Sequence, residues 1–110
     1  MFTKLARKVS EHPDHAWLQS TLIAHRGLHD GNHDIPENSM AAFKGAIEHN
    51  YIIELDVAIT KDKQLVVYHD KKLRRGLDID HDLHDLPYAE LSQYKLFSSA
   101  ETIPLFREVL

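Results

Sequence analysis

Three short apolar segments of the chain each lead directly into ionisable side chains. Short runs rich in Val, Ile, Leu and Tyr are typical of buried strands. Open α/β sheets and barrels bind their ligands at the carboxyl ends of such strands. The pattern therefore predicts an α/β fold with one site built from three strands: Thr21–Ala24 followed by His25 and Arg26, Tyr51–Val57 containing Glu54 and Asp56, and Gln64–His69 followed by Asp70.

The second segment places two carboxylates on one face of a strand. Glu54 and Asp56 are two residues apart, so both project from the same side of the pleat. Two close carboxylates repel each other and are costly to bury without a positive partner. A hard divalent cation with oxygen ligands removes that conflict. The alternative is a half-exposed strand whose polar face meets solvent, with Ile53, Leu55 and Val57 on the opposite face.

The relative direction of the second and third strands is open at this level. If Thr60–Lys63 is the tip of a hairpin, paired residue numbers sum to 123 and Glu54 lies opposite His69. If the strands are parallel, both deliver ionisable groups near their carboxyl ends. Eight residues separate Asp56 from Leu65, which is too few for a helical crossover of about a dozen or more. In either arrangement Glu54, Asp56 and His69 can converge.

The first twenty residues are expected to form a helical extension ahead of the main domain. Their apolar side chains recur at helical spacing, and the basic side chains lie largely elsewhere. We therefore place a boundary near residue 20, with residues 21–110 forming one domain around a single core. The apolar positions of the extension are Phe2, Leu5, Ala6 and Val9.

Local signals predict helices between and after the strands. Asn38 or Ser39 can cap a helix that runs to about His49. Pro87 and Pro104 each open a further short helix, because proline is favoured in the first turn.

Charge and composition exclude several classes of partner. The 110 residues carry 13 Lys plus Arg and 17 Asp plus Glu, a formal charge of −4, and no cysteine that could supply a thiolate ligand. This mild acidity gives no basis for nucleic-acid binding, which needs a basic patch. No apolar run approaches the roughly 20 residues of a membrane span, and none follows the charged first residues as in a secretory signal. We therefore expect a cytoplasmic protein without stable membrane insertion.

Histidine is the residue type that most directly indicates chemistry. The chain has nine, and histidine is the usual acid, base or metal ligand near neutral pH. His25 and His69 stand at strand ends, and Arg26 offers a fixed-charge fork suited to phosphate. A cation and an arginine neutralise a phosphodiester while histidines move protons for the nucleophile and the leaving group. Together these residues indicate cleavage of a phosphate ester.

Seven short motifs follow one another from about Leu22 to the end of the chain. They are IAHRG at 23–27, PENS at 36–39, ELDV at 54–57, TKD at 60–62, VVYHD at 66–70, Leu73 with Arg75 as L-x-R, and IPLFREVL at 103–110. Each piece alone is weak, but the ordered set is strongly specific. It resembles the glycerophosphodiester phosphodiesterase family, whose barrel is shared more distantly with phosphatidylinositol-specific phospholipases C.

That resemblance implies a TIM barrel that hydrolyses glycerophosphodiesters to sn-glycerol 3-phosphate and an alcohol, with calcium or magnesium as cofactor. It implies His25 and His69 as the acid–base pair, with the two roles unassigned. Arg26 is implied to hold the phosphate. Glu54 and Asp56 are implied as the metal ligands.

Two further acidic residues stand near the implied site. Glu37 of PENS matches a motif position there, as a further ligand or as the partner of one. Asp70 either orients a neighbour or closes a turn, and this structural role is favoured over a catalytic one.

The chain departs from the family mainly in its length. A complete (β/α)₈ barrel takes about 250 residues, whereas this chain carries material for three strands and lacks the family's third acidic metal ligand and a downstream phosphate-binding lysine. Gly76 and Leu105 stand where threonine is common in the family. We therefore expect an incomplete barrel with little turnover of its own, whose exposed strand edges invite self-association.

Two other functions remain open. One is a phospholipase of the related superfamily, although no apolar lipid-facing loop stands near the strand ends. The other is a non-catalytic remnant that binds metal or phosphate, or that serves as an assembly element. The stretch Asp78–Asp85 has four aspartates and two histidines, but it lacks the spacing and the glycine of a calcium loop, so a solvated acidic loop is favoured there.

Overall fold

The chain forms a small sheet covered by short helices and long loops. The computed structural model describes residues 2–7, as backbone only, and residues 22–110. In chain order the elements are β1 Phe2–Arg7, β2 Ile23–His25, α1 Met40–Glu48, β3 Ile52–Ile59, β4 Leu65–Val67, α2 Arg74–Leu77, α3 Tyr88–Leu91 and α4 Phe106–Val109, with 3₁₀ turns at Leu83–Asp85 and Leu96–Ser98.

The strand β3 is the centre of the sheet. It pairs with β1 in antiparallel and with β2 in parallel, and β4 returns antiparallel to its carboxyl end. The parallel register runs from Ile23↔Ile52 to His25↔Glu54. His25, the last residue of β2, therefore lies beside Glu54, the third of the eight residues of β3. The chain after β4 lies against the same part of β3 from the opposite direction, where the Tyr68 N–H donates to the Asp56 carbonyl at 3.0 Å.

A hairpin between β3 and β4 decides the strand direction that the sequence leaves open. Val57 pairs with Val67, so paired numbers sum to 124. The expected value of 123, and with it the pairing of Glu54 with His69, is therefore wrong by one position. The loop has three residues rather than four and closes through Lys63, whose φ of 66° is the left-handed conformation that ends three-residue hairpin loops.

The first described residues correct the prediction of a helical extension over residues 1–20. Residues Phe2–Arg7 form β1, which pairs with β3 from Phe2↔Ala58 to Arg7↔Ile53. So short a stretch of apolar residues does not distinguish a helix from a strand, and backbone pairing with β3 decides between them. Residues 8–21 lie outside the described residues, and the boundary near residue 20 stays a prediction.

The predicted helix after the PENS motif is confirmed as α1. The Ser39 hydroxyl accepts a hydrogen bond from the Ala42 N–H at 3.1 Å and so satisfies one of the free donors at the start of the helix. The short helices expected at Pro87 and Pro104 are present as α3 and α4. The described residues contain no helix long and apolar enough to cross a membrane.

Two apolar clusters hold these elements together. One packs α1 and α4 against the sheet and consists of Ala24, Phe43, Ala46, Ile53, Leu55, Val57, Val67 and Val109. The other lies under the loops that follow β4 and consists of Ala58, Val66, Tyr68, Leu73, Leu77, Leu83, Leu86, Leu91, Leu96 and Ile103. The second cluster fixes α2 and the Leu96–Ser98 turn, both of which border the candidate site.

Candidate active site

A tight turn after β2 positions the first two predicted site residues. Arg26 has a φ of 60°, and its N–H donates to the Glu54 carbonyl at 2.7 Å. Gly27 follows with a φ of 82°, and a Cβ there would lie 2.7 Å from the Cβ of Ala42, so only glycine lets α1 pass this closely. A left-handed conformation at a residue other than glycine is unfavourable. The surrounding contacts maintain this backbone conformation, and the Arg26 side chain lies against Glu37 and Asp56.

The two carboxylates on β3 have different surroundings. The Glu54 side chain is about a quarter exposed, and its Oε1 lies 3.0 Å from Nε2 of His25. Asp56 is buried, and its Oδ2 accepts from Asn38 Nδ2 at 3.2 Å and lies 3.5 Å from Nε of Arg26. The contacts with His25 and Arg26 lack hydrogen-bond geometry, and the contact between Arg26 and Asp56 is an ion pair. The alternative of a polar strand face in open solvent is therefore wrong for Asp56.

Glu37 lies between two arginines at the centre of the site. Its Oε2 accepts from Arg26 Nη1 at 3.0 Å and from Arg75 Nη2 at 2.8 Å, and its Oε1 accepts from Arg75 Nη1 at 2.9 Å and Asn32 Nδ2 at 3.0 Å. Burial opposes ionisation of this carboxyl, but the hydrogen bonds of Arg75 and Asn32 and the charges of both arginines outweigh it and lower its pKa to about 2. Glu37 is therefore ionised at neutral pH and joins the two guanidinium groups.

His69 and Asp70 form the other end of the site, after β4. Nδ1 of His69 lies 2.6 Å from Oδ1 of Asp70. Arg75 donates to the same carboxylate, from Nε to Oδ2 at 2.9 Å and from Nη2 to Oδ1 at 3.2 Å. Burial opposes ionisation of Asp70, but the hydrogen bonds from Arg75 and His69 lower its pKa below the usual range. The carboxylate of Asp70 can therefore orient the ring of His69.

Side-chain contacts join five of the assigned residues through Arg75, and the pair His25–Glu54 stands beside them, linked by the hydrogen bond from the Arg26 N–H to the Glu54 carbonyl. Three participants, Asn32, Asn38 and Arg75, were not assigned, although Asn38 and Arg75 stand inside quoted motifs, PENS and L-x-R. That membership is the signal that could have identified these two residues. The five assigned residues joined through Arg75 are Arg26, Glu37, Asp56, His69 and Asp70.

The charges and unpaired oxygens of the site fit a divalent cation. Four carboxylates face two arginines, which leaves a charge of −2 for the pair on β3 when the histidines are neutral. In the described part of the chain, the buried side-chain oxygens without a hydrogen-bond partner are Oε1 of Glu54 and Oδ1 of Asn38. Carboxylate and amide oxygens are the ligands that Ca²⁺ and Mg²⁺ prefer.

A second group of potential ligands lies in the acidic loop. Ligand atoms of Asp82, His84 and Asp85 lie within 4.8 Å of one another. Among the described residues, Glu54 and Asp56 have no third acidic or histidine side chain at that spacing. Asp82 is paired with Lys71 and Lys72 at 4.0 and 3.7 Å, however, and the other two side chains are about half exposed. This arrangement is that of a solvated loop.

Comparisons with known proteins agree with the motifs. Residues 25–110 match the sequence model of the glycerophosphoryl diester phosphodiesterase family. A glycerophosphodiester phosphodiesterase of Bacillus altitudinis is 43% identical over 96 residues, which cover 81% of this chain and 38% of that protein. Human lysophospholipase D GDPD1 is 44% identical over 76 residues, which cover 68% of this chain and 23% of that protein.

Solved structures show the same relationship. An Oleispira antarctica phosphodiesterase, in complex with the product sn-glycerol-3-phosphate, superposes with a TM-score of 0.69 at 32% identity and covers 81% of this chain and 38% of that chain. A glycerophosphodiester phosphodiesterase of Thermotoga maritima gives a TM-score of 0.67 at 31% identity, covering 90% of this chain and 39% of that chain. The chain thus spans less than half the length of these relatives.

Proposed function

Because the chain belongs to the glycerophosphoryl diester phosphodiesterase family, we propose that its site serves the metal-dependent hydrolysis of glycerophosphodiesters to sn-glycerol 3-phosphate and an alcohol. Its fold is an incomplete TIM barrel, like part of the solved relatives. The observation that carries the proposal is the set of contacts beside β3, in which one histidine lies against Glu54, the other lies against Asp70, and Glu37 bridges two arginines. The product bound in the Oleispira antarctica relative supports the substrate class.

His25 and His69 are the proposed acid–base pair. One ring nitrogen of each lies against a carboxylate: Nε2 of His25 against Glu54, and Nδ1 of His69 against Asp70. The opposite nitrogen of each ring is left to exchange a proton with water or substrate. Their side chains are 53% and 36% exposed, so a substrate can reach both rings.

Arg26 is the proposed phosphate ligand. Its Nη1 donates to Glu37, and its Nε faces Asp56, so Nη2 is left for an oxygen of the phosphodiester. Nη2 suits this contact because it carries two N–H donors and part of the fixed positive charge of the guanidinium. The left-handed backbone at Arg26 and its carboxylate partners hold the group in place before substrate binds.

Glu54 and Asp56 are the proposed ligands of the divalent cation, with Oδ1 of Asn38 as a further oxygen donor. Ca²⁺ and Mg²⁺ are the candidates, since every donor is oxygen. When bound, such an ion neutralises charge on the phosphodiester. Glu37 and Asp70 act through their arginine and histidine partners instead of as ligands, because both oxygens of each carboxylate already accept hydrogen bonds.

Turnover by the 110 residues alone is proposed to be weak. A complete barrel takes about 250 residues, and the chain covers 38% of the Bacillus altitudinis relative. Unpaired strand edges can pair with another copy, so self-association is part of the proposal, as is a cytoplasmic location. A chain that binds substrate without hydrolysing it corresponds to the non-catalytic alternative.

The test follows binding and product release separately. We expect saturation-transfer NMR to show glycerophosphocholine binding that requires Ca²⁺ or Mg²⁺, that is lost in Arg26→Gln, and that persists in Arg107→Gln, an exposed arginine of α4. Release of sn-glycerol 3-phosphate should be slow and should vanish in His69→Ala. Lysophosphatidylcholine in the same assay tests the activity that the human relative's name states. Absence of cation-dependent binding in the unaltered chain would contradict the proposed site.

A further inference from the structure

Arg75 joins three separate segments of the site, and the proposed roles above do not include it. Its guanidinium donates four hydrogen bonds, two to Glu37 in the loop before α1 and two to Asp70 after β4. A planar fork can hold two carboxylates in this way, whereas the ammonium group of lysine cannot. Arg75 therefore fixes the relative position of two loops that are distant in sequence.

The ring of Phe97 supports Arg75 from the third segment. The centroid of the ring lies 5.2 Å from Cζ of Arg75, within the range of a cation–π contact. Phe97 has a φ of 49° and a ψ of 36°, and Ser98 has a φ of 59°. Left-handed backbone at a bulky residue is unfavourable and is retained where its surroundings require it. This conformation places the ring against the guanidinium.

Arg75 differs from Arg26 in what its donors can still do. The contacts to Glu37 and Asp70 use four of the five N–H groups of Arg75 and leave one on Nη1, whereas the contacts of Arg26 with the described residues leave both N–H groups of Nη2. A phosphate held by two N–H groups of Arg75 would break a contact with Glu37 or Asp70. The effect of Arg75 on the reaction must therefore pass through Glu37 and Asp70.

We propose that Arg75 is a positioning residue, which holds Asp70 against Nδ1 of His69 and Glu37 against Arg26. The inference rests on the proposed function, because that function gives His69 and Arg26 their roles. An Asp70 carboxylate fixed at Nδ1 keeps the proton of the neutral ring on that nitrogen and leaves Nε2 as an acceptor that faces substrate. Without Arg75, the Asp70 side chain is free to turn into water.

The test measures the tautomer of neutral His69 by ¹⁵N NMR in the free chain, at a pH above which the His69 signals no longer change. His69→Gln identifies the signal. We expect the Nδ1–H form to predominate in the unaltered chain and to become the minor form in Arg75→Gln. The matched control is Arg74→Gln, whose side chain is 64% exposed and faces Asp78 and Asp80, and it should leave the tautomer unchanged.

Two further variants keep the proposal falsifiable. Asp70→Ala removes the acceptor and should also make Nδ1–H the minor form. If Arg75→Gln does not fold, Arg75→Lys decides by the same criterion, and Phe97→Leu should shift the tautomer in the same direction by less. The proposal is overturned if the Nδ1–H form still predominates after Arg75 is replaced. It is also overturned if that form is the minor one in the unaltered chain. Because substrate and cation are absent, this outcome is independent of whether the chain binds glycerophosphocholine.

Discussion

Two parts of the molecule combine carboxylates with histidines and basic side chains, but they differ in geometry. In the network of contacts beside β3, arginines hold Glu37 and Asp70 at 2.8 to 3.2 Å. In the acidic loop, Asp78–Asp85, the pairs are 3.4 to 4.0 Å apart. The side chains of Asp78 and Asp80 there are 92% and 96% exposed.

The comparison shows that burial and convergence, and not the density of charge, make the site. Exposed pairs are screened by water and salt and contribute little. The network is different because its members come from β2, β3, the residues after β4 and the neighbouring loops, and the fold buries Glu37 and Asp56 among them. A buried carboxylate must then be paired with a cation, whether an arginine or a metal ion.

Acid sensitivity is the largest effect that this comparison predicts. The pKa of Glu37 is about 2 in the folded chain, against an ordinary value of 4.5. Its ionised form therefore stabilises the fold above about pH 4.5, and this contribution is lost as the pH falls towards 2. The shift corresponds to a loss of about 3 kcal/mol in the free energy of unfolding.

Urea unfolding at about pH 5 and pH 2.5 measures this loss. Glu37→Gln should be less stable at the higher pH and should show a much smaller pH dependence. Part of the pH dependence that remains in Glu37→Gln comes from Asp70, whose pKa is also lowered. Equal pH dependence in the two proteins would show that Glu37 is not held by its arginines.

A smaller effect concerns Gly76, in α2 between the two regions. A Cβ there would lie 2.3 Å from the Tyr68 hydroxyl oxygen, which accepts the Gly76 N–H at 3.1 Å. Gly76→Ala should therefore cost about 2 kcal/mol by overpacking, measured by urea unfolding. Gly45→Ala is the control, since its Cβ would meet Leu28 at an ordinary 3.7 Å. Gly45→Ala should be neutral or should stabilise the fold by up to about 1 kcal/mol. Equal losses of stability in the two variants would contradict the close packing of Gly76 against Tyr68.

The same contact accounts for the glycine at position 76. The hydroxyl of Tyr68 fills the space that a side chain there would need. Burial and the nearby charge of Asp70 raise the pKa of Tyr68 to about 12, so it stays a neutral partner for the Gly76 N–H. Gly76 therefore fits against Tyr68, the residue that follows β4.

The smallest effect is expected in the acidic loop. Asp80 is 96% exposed and lies 3.9 Å from Nη2 of Arg74. Asp80→Asn should leave the urea midpoint unchanged within error, because exposed pairs at this distance contribute little. A clear loss of stability would show that the loop is held by its charges, and the contrast between the two regions would disappear.

Features that depend on neighbouring residues follow from the sequence. The Ser39 cap predicts α1 because its hydroxyl bonds within one turn. The ionisable residues at the ends of β2 and β4 predict where the site forms, because both strands end beside the middle of β3, although they approach it from opposite directions. The register of the hairpin is missed by one residue, because four turn-forming letters do not reveal a three-residue loop closed at Lys63.

Features that depend on distant partners do not follow from the sequence. Strand β1 exists through its pairing with β3, while its own apolar spacing also fits a helix. Arg75 contacts a carboxylate 38 residues away and a ring that is placed by strained backbone. No local sequence pattern predicts these contacts. The central position of Arg75 in the network is therefore visible only in the structure.

The most direct test of the account is the thermal stability of the chain with and without Ca²⁺ or Mg²⁺. We predict that the cation raises Tm in the unaltered chain and in Asp82→Asn, and that Asp56→Asn abolishes the rise. An ion at about 100 times its Kd stabilises by about 2.7 kcal/mol, which is a shift of several degrees for a domain of this size. A rise that survives Asp56→Asn but is lost in Asp82→Asn would place the cation in the acidic loop and contradict the account, as would no rise at all.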